Sequence, residues 1–237
     1  MTHPFVKAYV SVCKELLLPL GFKCKGRYFY RIVNDVYQDL ALKLYRDGKT
    51  YSVFFGFLPF CCGLEAEAIY TDSGSSFYLE NAALILYRGD TESECLKNAE
   101  QLGKVISEHT IPLYERVTNT ASAFAEWHRI ELERQSKSNL SYPLYLFSEF
   151  PDYIIVEPQI WMAITLGEYD YAVKGLRQRI EIDKWGCNQE NGDWFRNQIK
   201  QYEEMIERIQ ARDMDWINGF IAANERKSRI ELELEKE

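Results

Sequence analysis

Tyr28-Phe29-Tyr30-Arg31-Ile32-Val33-Asn34-Asp35-Val36-Tyr37-Gln38-Asp39-Leu40-Ala41-Leu42-Lys43-Leu44-Tyr45 is the stretch whose reading decides the fold. Side chains alternate on both sides of Asn34-Asp35. Tyr28, Tyr30 and Ile32 alternate with Arg27, Phe29 and Arg31; Val36, Gln38, Leu40, Leu42 and Leu44 alternate with Tyr37, Asp39, Ala41, Lys43 and Tyr45. A period of two is that of a strand, whose successive side chains point to opposite faces. Asn34-Asp35 is a turn signal, and Asp47-Gly48 is a hairpin signal leading into a third alternating run, Tyr51, Val53, Phe55 and Phe57. Three strands joined by short turns predict an antiparallel meander. One or two more strands are expected over 66–70 and 76–87, and a loop over 59–65.

Working outward, the period changes to that of helices. Thr2-His3-Pro4 reads as a helix start, followed by Phe5, Tyr9, Cys13, Leu16 and Leu20 at three- and four-residue steps and ended by Pro19 and Gly21. Thr91-Glu92-Ser93-Glu94 is a capping box, and the helix behind it is expected to bury Leu96, Ala99, Leu102 and Ile106. Beyond Pro112, one further helix is expected to carry Tyr114, Val117, Ala121, Phe124, His128 and Leu132 on one face. Residues 136–157 are loop-like, with Pro143 and Pro151, and helices follow at about 158–167, 169–183, 191–211 and 213–233. The predicted organisation is therefore an α+β domain over 1–135, a linker over 136–157 and a helical region over 158–237. The expected fold class is α+β: a small antiparallel sheet with flanking helices, followed by a C-terminal helical bundle.

The chain of 237 residues is 46% hydrophobic and 14% aromatic, enough for a core without a disulfide or metal staple. No stretch reaches the roughly 20 apolar residues of a membrane span. Lys7, Lys14 and Glu15 interrupt the apolar N-terminal run, so no signal peptide is read there and a cytoplasmic location is expected. Cys13, Cys24, Cys61, Cys62, Cys95 and Cys187 form no C-x-x-C pair and have no His at ligand spacing, so no metal or cofactor is expected. The net charge is −8, but residues 1–60 hold nine Lys/Arg against four Asp/Glu and the remainder 19 against 32. An acidic bulk disfavours nucleic acid, whose phosphates need a basic footprint. The basic first part suits an anion or the acidic half of its own chain.

Gly21-Phe22-Lys23-Cys24-Lys25-Gly26-Arg27-Tyr28-Phe29-Tyr30-Arg31 resembles the signature of a large bacterial family of uncharacterised domains, Gly-Phe-Lys-x-Lys-Gly-x-x-Phe-Tyr-Arg after an N-terminal helix. The resemblance runs over about residues 5–118, through the Asn34-Asp35-Val36 turn and Thr110-Ile111-Pro112. That family pattern places a Gln-Lys pair on the second strand and an Asn before the Gly on the third. This chain has Lys43-Leu44 and Phe55-Gly56 there, so no role of those polar residues is implied. The resemblance implies fold boundaries and no activity.

Read as one continuous alternation, Lys25, Arg27, Phe29 and Arg31 share a sheet face, to which neighbouring strands add Tyr37, Lys43, Tyr45 and Phe54. Such a basic, aromatic surface holds an anion by charge and a ring by stacking. The other reading is that the acidic helical half covers it, with Arg and Tyr in internal pairs. Leu166-Gly167-Glu168-Tyr169-Asp170-Tyr171-Ala172 resembles the inter-helix turn of a tetratricopeptide repeat, but it occurs once, and a general αα-hairpin explains it as well. His3, His109 and His128 lie near no recognisable nucleophile motif, and no P-loop or dinucleotide glycine fingerprint is present. The first expectation for function is a non-enzymatic cytosolic protein-binding module, in one version an immunity-type inhibitor that blocks a basic toxin by charge complementarity. The alternatives are an enzyme or small anionic-ligand protein using the basic strand face, and a structural oligomerisation protein.

Overall fold

The computed structural model describes residues 3–44, 50–63, 86–87, 89–136, 155, 157–187 and 192–232. Two compact units divide the chain. The first comprises Met1–Pro59 and Ala66–Ala123, the second Phe60–Glu65 and Phe124–Glu237. The chain is an α+β protein.

In the first unit, α1 (Pro4–Leu17) is capped by His3, whose Nδ1 accepts the Phe5 N–H at 3.2 Å. It buries Phe5, Tyr9, Cys13 and Leu17. The buried stripe steps by four throughout, so Leu17 takes the place expected of Leu16, which is half-buried. The strands β1 (Lys23–Lys25), β2 (Tyr28–Val33), β3 (Val36–Leu44), β4 (Thr50–Pro59) and β5 (Leu86–Tyr87) form one antiparallel sheet in chain order. This is the expected meander. The Asp47-Gly48 turn, the strand expected at 66–70 and most of that at 76–87 lie outside the described residues.

One face of the sheet packs on α1. The Phe5 and Tyr51 rings lie 5.0 Å apart, and Tyr9 meets Phe29 edge-on at 6.1 Å. The Thr91 capping box starts α2 (Glu92–Val105): the Glu94 N–H donates to the Thr91 hydroxyl, and the Glu94 carboxylate accepts the Thr91 N–H. Helix α2 buries Cys95, Ala99, Leu102 and Gly103, while Leu96, expected inside, is 49% exposed. The stripe that continues to Ile106 is 95-99-102-106, and Leu96 sits one position off it.

Pro112 has no N–H to donate, and the chain meets it with a five-residue π turn, Ile106–Thr110, before α3 (Ile111–Arg116). The single helix expected after Pro112 is two. Asn119 and Ser122 break it: Asn119 Oδ1 accepts the Ser122 N–H, and Ser122 Oγ accepts the N–H groups of Thr118 and Asn119. These caps start α4 (Thr120–Ser136). The β2–β3 turn adds another cap. Asp35 accepts the N–H and hydroxyl of Thr120, and the Asn34 amide donates to the Thr118 carbonyl at 2.8 Å.

The expected first domain ended at 135. The boundary between the two compact units lies inside α4, and Phe60–Glu65 goes with the second unit. Most of the expected linker over 136–157 lies outside the described residues.

The second unit holds α5 (Glu157–Leu166), α6 (Tyr169–Gly186), α7 (Gly192–Gln210) and α8 (Met214–Glu231), the expected helical bundle. Its core gathers Ile155, Ile160, Leu176, Tyr202, Ile209 and Ile217. A 3-10 turn, Phe60–Cys62, belongs to this unit: the Ser228 hydroxyl donates to the Phe60 carbonyl at 2.8 Å, and the Asn224 amide to the Cys61 carbonyl at 2.9 Å. Two helix ends share one geometry. After α5 the Glu168 N–H returns to the Ala163 carbonyl and the Gly167 N–H to Ile164; after α7 the Asp213 N–H returns to Arg208 and the Arg212 N–H to Ile209. Both are Schellman closures, which place the first residue past the helix cap in the left-handed region. Gly167 sits there at φ 77°, Arg212 at φ 55°. For a residue with a Cβ this conformation costs about 1–2 kcal/mol.

Helices α1 and α2 approach so closely that a Cβ on Gly103 would lie 2.5 Å from Val12 Cγ1. Gly103→Val is expected to lower unfolding stability by about 1–3 kcal/mol in urea titration, and adding Val12→Ala is expected to recover part of the loss.

Candidate functional site

The residues expected to form one basic, aromatic face do not share a face. The strand that begins at Lys23 reverses at Gly26-Arg27, a two-residue hairpin loop in which Gly26 has φ 67°. Lys25 pairs with Tyr28, and Cys24 with Phe29. Directly paired residues point to the same side, so the hairpin resets the alternation. Phe29 and Arg31 take the α1 side; Lys25, Tyr37 and Lys43 hold register positions on the other; Arg27 is exposed in the loop. Tyr45 lies outside the described residues, and Phe54 pairs with Ala41 in register on the Tyr37 side.

Arg31 and Phe29 are built into the first unit. Phe29 is fully buried against Tyr9. Arg31 Nη1 donates to the Leu20 carbonyl at 2.6 Å, and its Nε to Gln38 Oε1 at 2.7 Å. Its guanidinium lies 4.7 Å from the centre of the Phe22 ring. Gln38, with no exposed surface, donates both amide hydrogens, to the Tyr114 carbonyl at 2.9 Å and the Val117 carbonyl at 2.6 Å. One carbonyl belongs to the last turn of α3 and the other to its C-cap residue, where a helix end leaves carbonyls without intrahelical partners.

On the other side of the sheet, the Tyr28 and Tyr37 hydroxyls meet, and Tyr28 donates to the Asp39 carboxylate at 3.3 Å. Tyr28 and Tyr37 are 8% and 3% exposed. Burial pushes the Asp39 carboxyl up to about 7, against the opposing pull of the Tyr28 hydrogen bond. Sequence reasoning counted Tyr37 as a partner of the basic strand, and the structure makes it a partner of Tyr28 and its stacked neighbour Tyr30.

A third place carries exposed charge. Lys7, Ser11 and Lys14 lie on the face of α1 opposite the buried stripe, Val6 and Val10 border the stripe, and with Gly26 and Arg27 of the hairpin loop they line an open cleft of about 690 Å³. Among the described residues, three cations stand around it and no carboxylate lines it. Among the described residues, none of the three makes an ion pair. Val6 and Val10 supply a half-buried apolar strip. Of the expected site residues that are described, Arg27 belongs to this cleft. Lys7 and Lys14, which in the sequence only interrupt an apolar run, stand seven residues apart on the helix face opposite Phe5, Tyr9 and Cys13.

His128 takes no part in these arrangements. It sits edge-on to Phe124 at 4.5 Å and Tyr171 at 4.9 Å, and burial lowers its pKa. Among the described residues, no group of three or more His, Cys, Asp or Glu is placed to hold a metal. Nor is any helix among them long and apolar enough to cross a membrane.

Fold and site together define an α+β protein with an internally bonded sheet and an exposed cationic cleft. Compared with protein-family models, with curated proteins and with solved structures, the chain matches none.

Two measurements separate the roles of these residues. Arg31→Ala leaves two acceptors unpaired and is expected to cost about 2–3 kcal/mol in chemical denaturation, while Arg27→Ala leaves stability unchanged within about 0.5 kcal/mol. For Asp39, the unfolded carboxyl releases its proton near the ordinary 3.8 and the folded one near 7. Between these values the native state holds the extra proton, so Asp39 lowers stability progressively as pH rises through that window. Asp39→Asn is expected to remove this fall, and above pH 7 the variant should unfold at higher urea than wild type.

Proposed function

We propose that this chain is a protein-binding module whose first unit takes an acidic segment of a partner protein in the cleft between α1 and the β1–β2 loop. The observation that carries the reading is the cleft's lining: Lys7, Lys14 and Arg27 around Val6 and Val10, with no carboxylate among the described residues that line it. Cations without ion pairs keep their full attraction for an incoming carboxylate, and an apolar strip between them adds area that a lone anion would not use. The occupant that matches both is a segment alternating acidic and apolar residues.

The inhibitor version, in which an acidic surface covers a basic toxin, draws on net charge alone, and the cleft offers a lined surface in its place. A small anion held by the strand face has less support, since Phe29 and Arg31 point into the first unit, Arg27 stands in the hairpin loop, and Lys25 and Lys43 hold register positions on the opposite face. A cytoplasmic setting fits the six cysteines, all of them free thiols.

The test is fluorescence anisotropy of a short labelled Glu-Leu peptide against the full chain. Wild type is expected to bind it in a salt-sensitive manner, and the triple variant Lys7→Glu, Lys14→Glu, Arg27→Glu to bind at least ~10-fold more weakly with an unchanged denaturation midpoint. All three side chains are exposed, so the folded state tolerates reversal. No binding by wild type, or equal binding by the triple variant, overturns the proposal. Full competition by inorganic phosphate at matched ionic strength transfers the cleft to the small-anion reading.

A further inference from the structure

The second unit carries a cleft of its own. Tyr169, Lys174 and Arg177 of α6 and Arg212 just past α7 stand around an opening of about 630 Å³, above Val173 and Ile209. That is the size of a small-molecule site. We infer that this cleft binds a phosphate monoester of a hydroxylated small molecule.

The cations carry the first part of the argument. On the same two helices Lys184 pairs with Glu181, Arg196 with Asp193, and Arg208 with Asp213. Lys174, Arg177 and Arg212 make no ion pair among the described residues. Lys174 and Arg177 are three residues apart and share one helix face, so both project to the same opening.

Arg212 carries the second part. It occupies the left-handed position that closes α7, where glycine is the ordinary residue, and the matching position after α5 is Gly167. From there its guanidinium lies 4.1 Å from the centre of the Tyr169 ring, fixed over the cleft by the stack. The turn has no need of an arginine, because its backbone bonds are those that glycine makes. The side chain is what the position supplies.

The ligand class follows from the count and kind of groups. Lys174, Arg177 and Arg212 bring three positive charges to the opening, against the two carboxylates of Asp170 and Glu181. A phosphate monoester brings a charge of about −2 and three acceptor oxygens, suited to a guanidinium fork and an ammonium together. Asp170 and Glu181, which also line the cleft one helical turn beyond Lys174 and Arg177, disfavour a polyanion and offer acceptors to hydroxyl groups on the organic part. This inference is independent of the acidic-segment cleft, which lies in the other unit.

The experiment is ligand-observed phosphorus NMR of the full chain with glycerol phosphate, glucose phosphate and adenosine monophosphate, and with inorganic phosphate alone. At least one ester is expected to bind saturably and more tightly than inorganic phosphate. Arg212→Gly is expected to weaken that ester at least ~10-fold while keeping or raising the urea midpoint, and Lys174→Gln with Arg177→Gln to weaken it similarly. Absence of binding by every ester overturns the inference. So does inorganic phosphate binding as tightly as the esters. A lowered midpoint in Arg212→Gly with ester binding intact assigns the arginine to the turn and overturns it as well.

Discussion

The buried amide of Gln38 is the constraint on which the first unit depends. Its two N–H groups satisfy the Tyr114 carbonyl of α3 and that of Val117, the residue that caps it, and its oxygen accepts from the Arg31 guanidinium. One neutral side chain with no exposed surface thus closes a helix end and fixes a cation. Removing it would strand two acceptors and a charged donor together, and each buried unpaired group costs more than its hydrogen bond returns when made. Because Arg31 is committed here and reaches on to the Leu20 carbonyl, the α1 side of the sheet is closed by its own hydrogen bonds. Exposed chemistry in this unit therefore moves outward, to the far side of α1 and to the hairpin loop.

Much of this was legible in the sequence, and the misses have definite causes. Period-two runs and short turn signals specify the meander because both are local. The Thr91 box and the helix limits of the second unit were legible for the same reason. Gly26-Arg27 was misread because a two-residue loop preserves the look of unbroken alternation while reversing which parity faces inward. The Asn119–Ser122 caps were present in the sequence but hidden by an apolar spacing that continues plausibly across them. The role of Arg31 had no local signal at all. Its fate depends on Gln38, and through it on carbonyls 76 and 79 residues further along the chain.

The same division explains how a chain of net charge −8 carries a cationic cleft on its first unit. Many of its cations are spent locally. In the second unit Lys184, Arg196 and Arg208 each reach a carboxylate three to five residues away, pairs that are exposed and contribute little to stability. Lys7, Lys14 and Arg27 have no acidic residue at such a spacing on their cleft-facing side, so their charge stays available. Local charge pattern, rather than net charge, decides what each surface attracts. The acidic total therefore says little about either cleft.

The two Schellman turns of the second unit form an internal comparison. The backbone problem is the same at both: two N–H groups must return to the last turn of a helix, and one residue must accept a positive φ. After α5 the chain meets it with Gly167, around whose missing side chain there is open space, nothing lying within 4 Å of an added Cβ. Room for a side chain is therefore not what selects glycine there; backbone freedom is. After α7 the chain places arginine in that same conformation and accepts its cost. A residue that disfavours its own backbone position is explained by what its side chain reaches, and Arg212 reaches the Tyr169 ring at the rim of a cleft. The strained position and the unpaired cations of α6 come from different parts of the chain, and they meet at one opening.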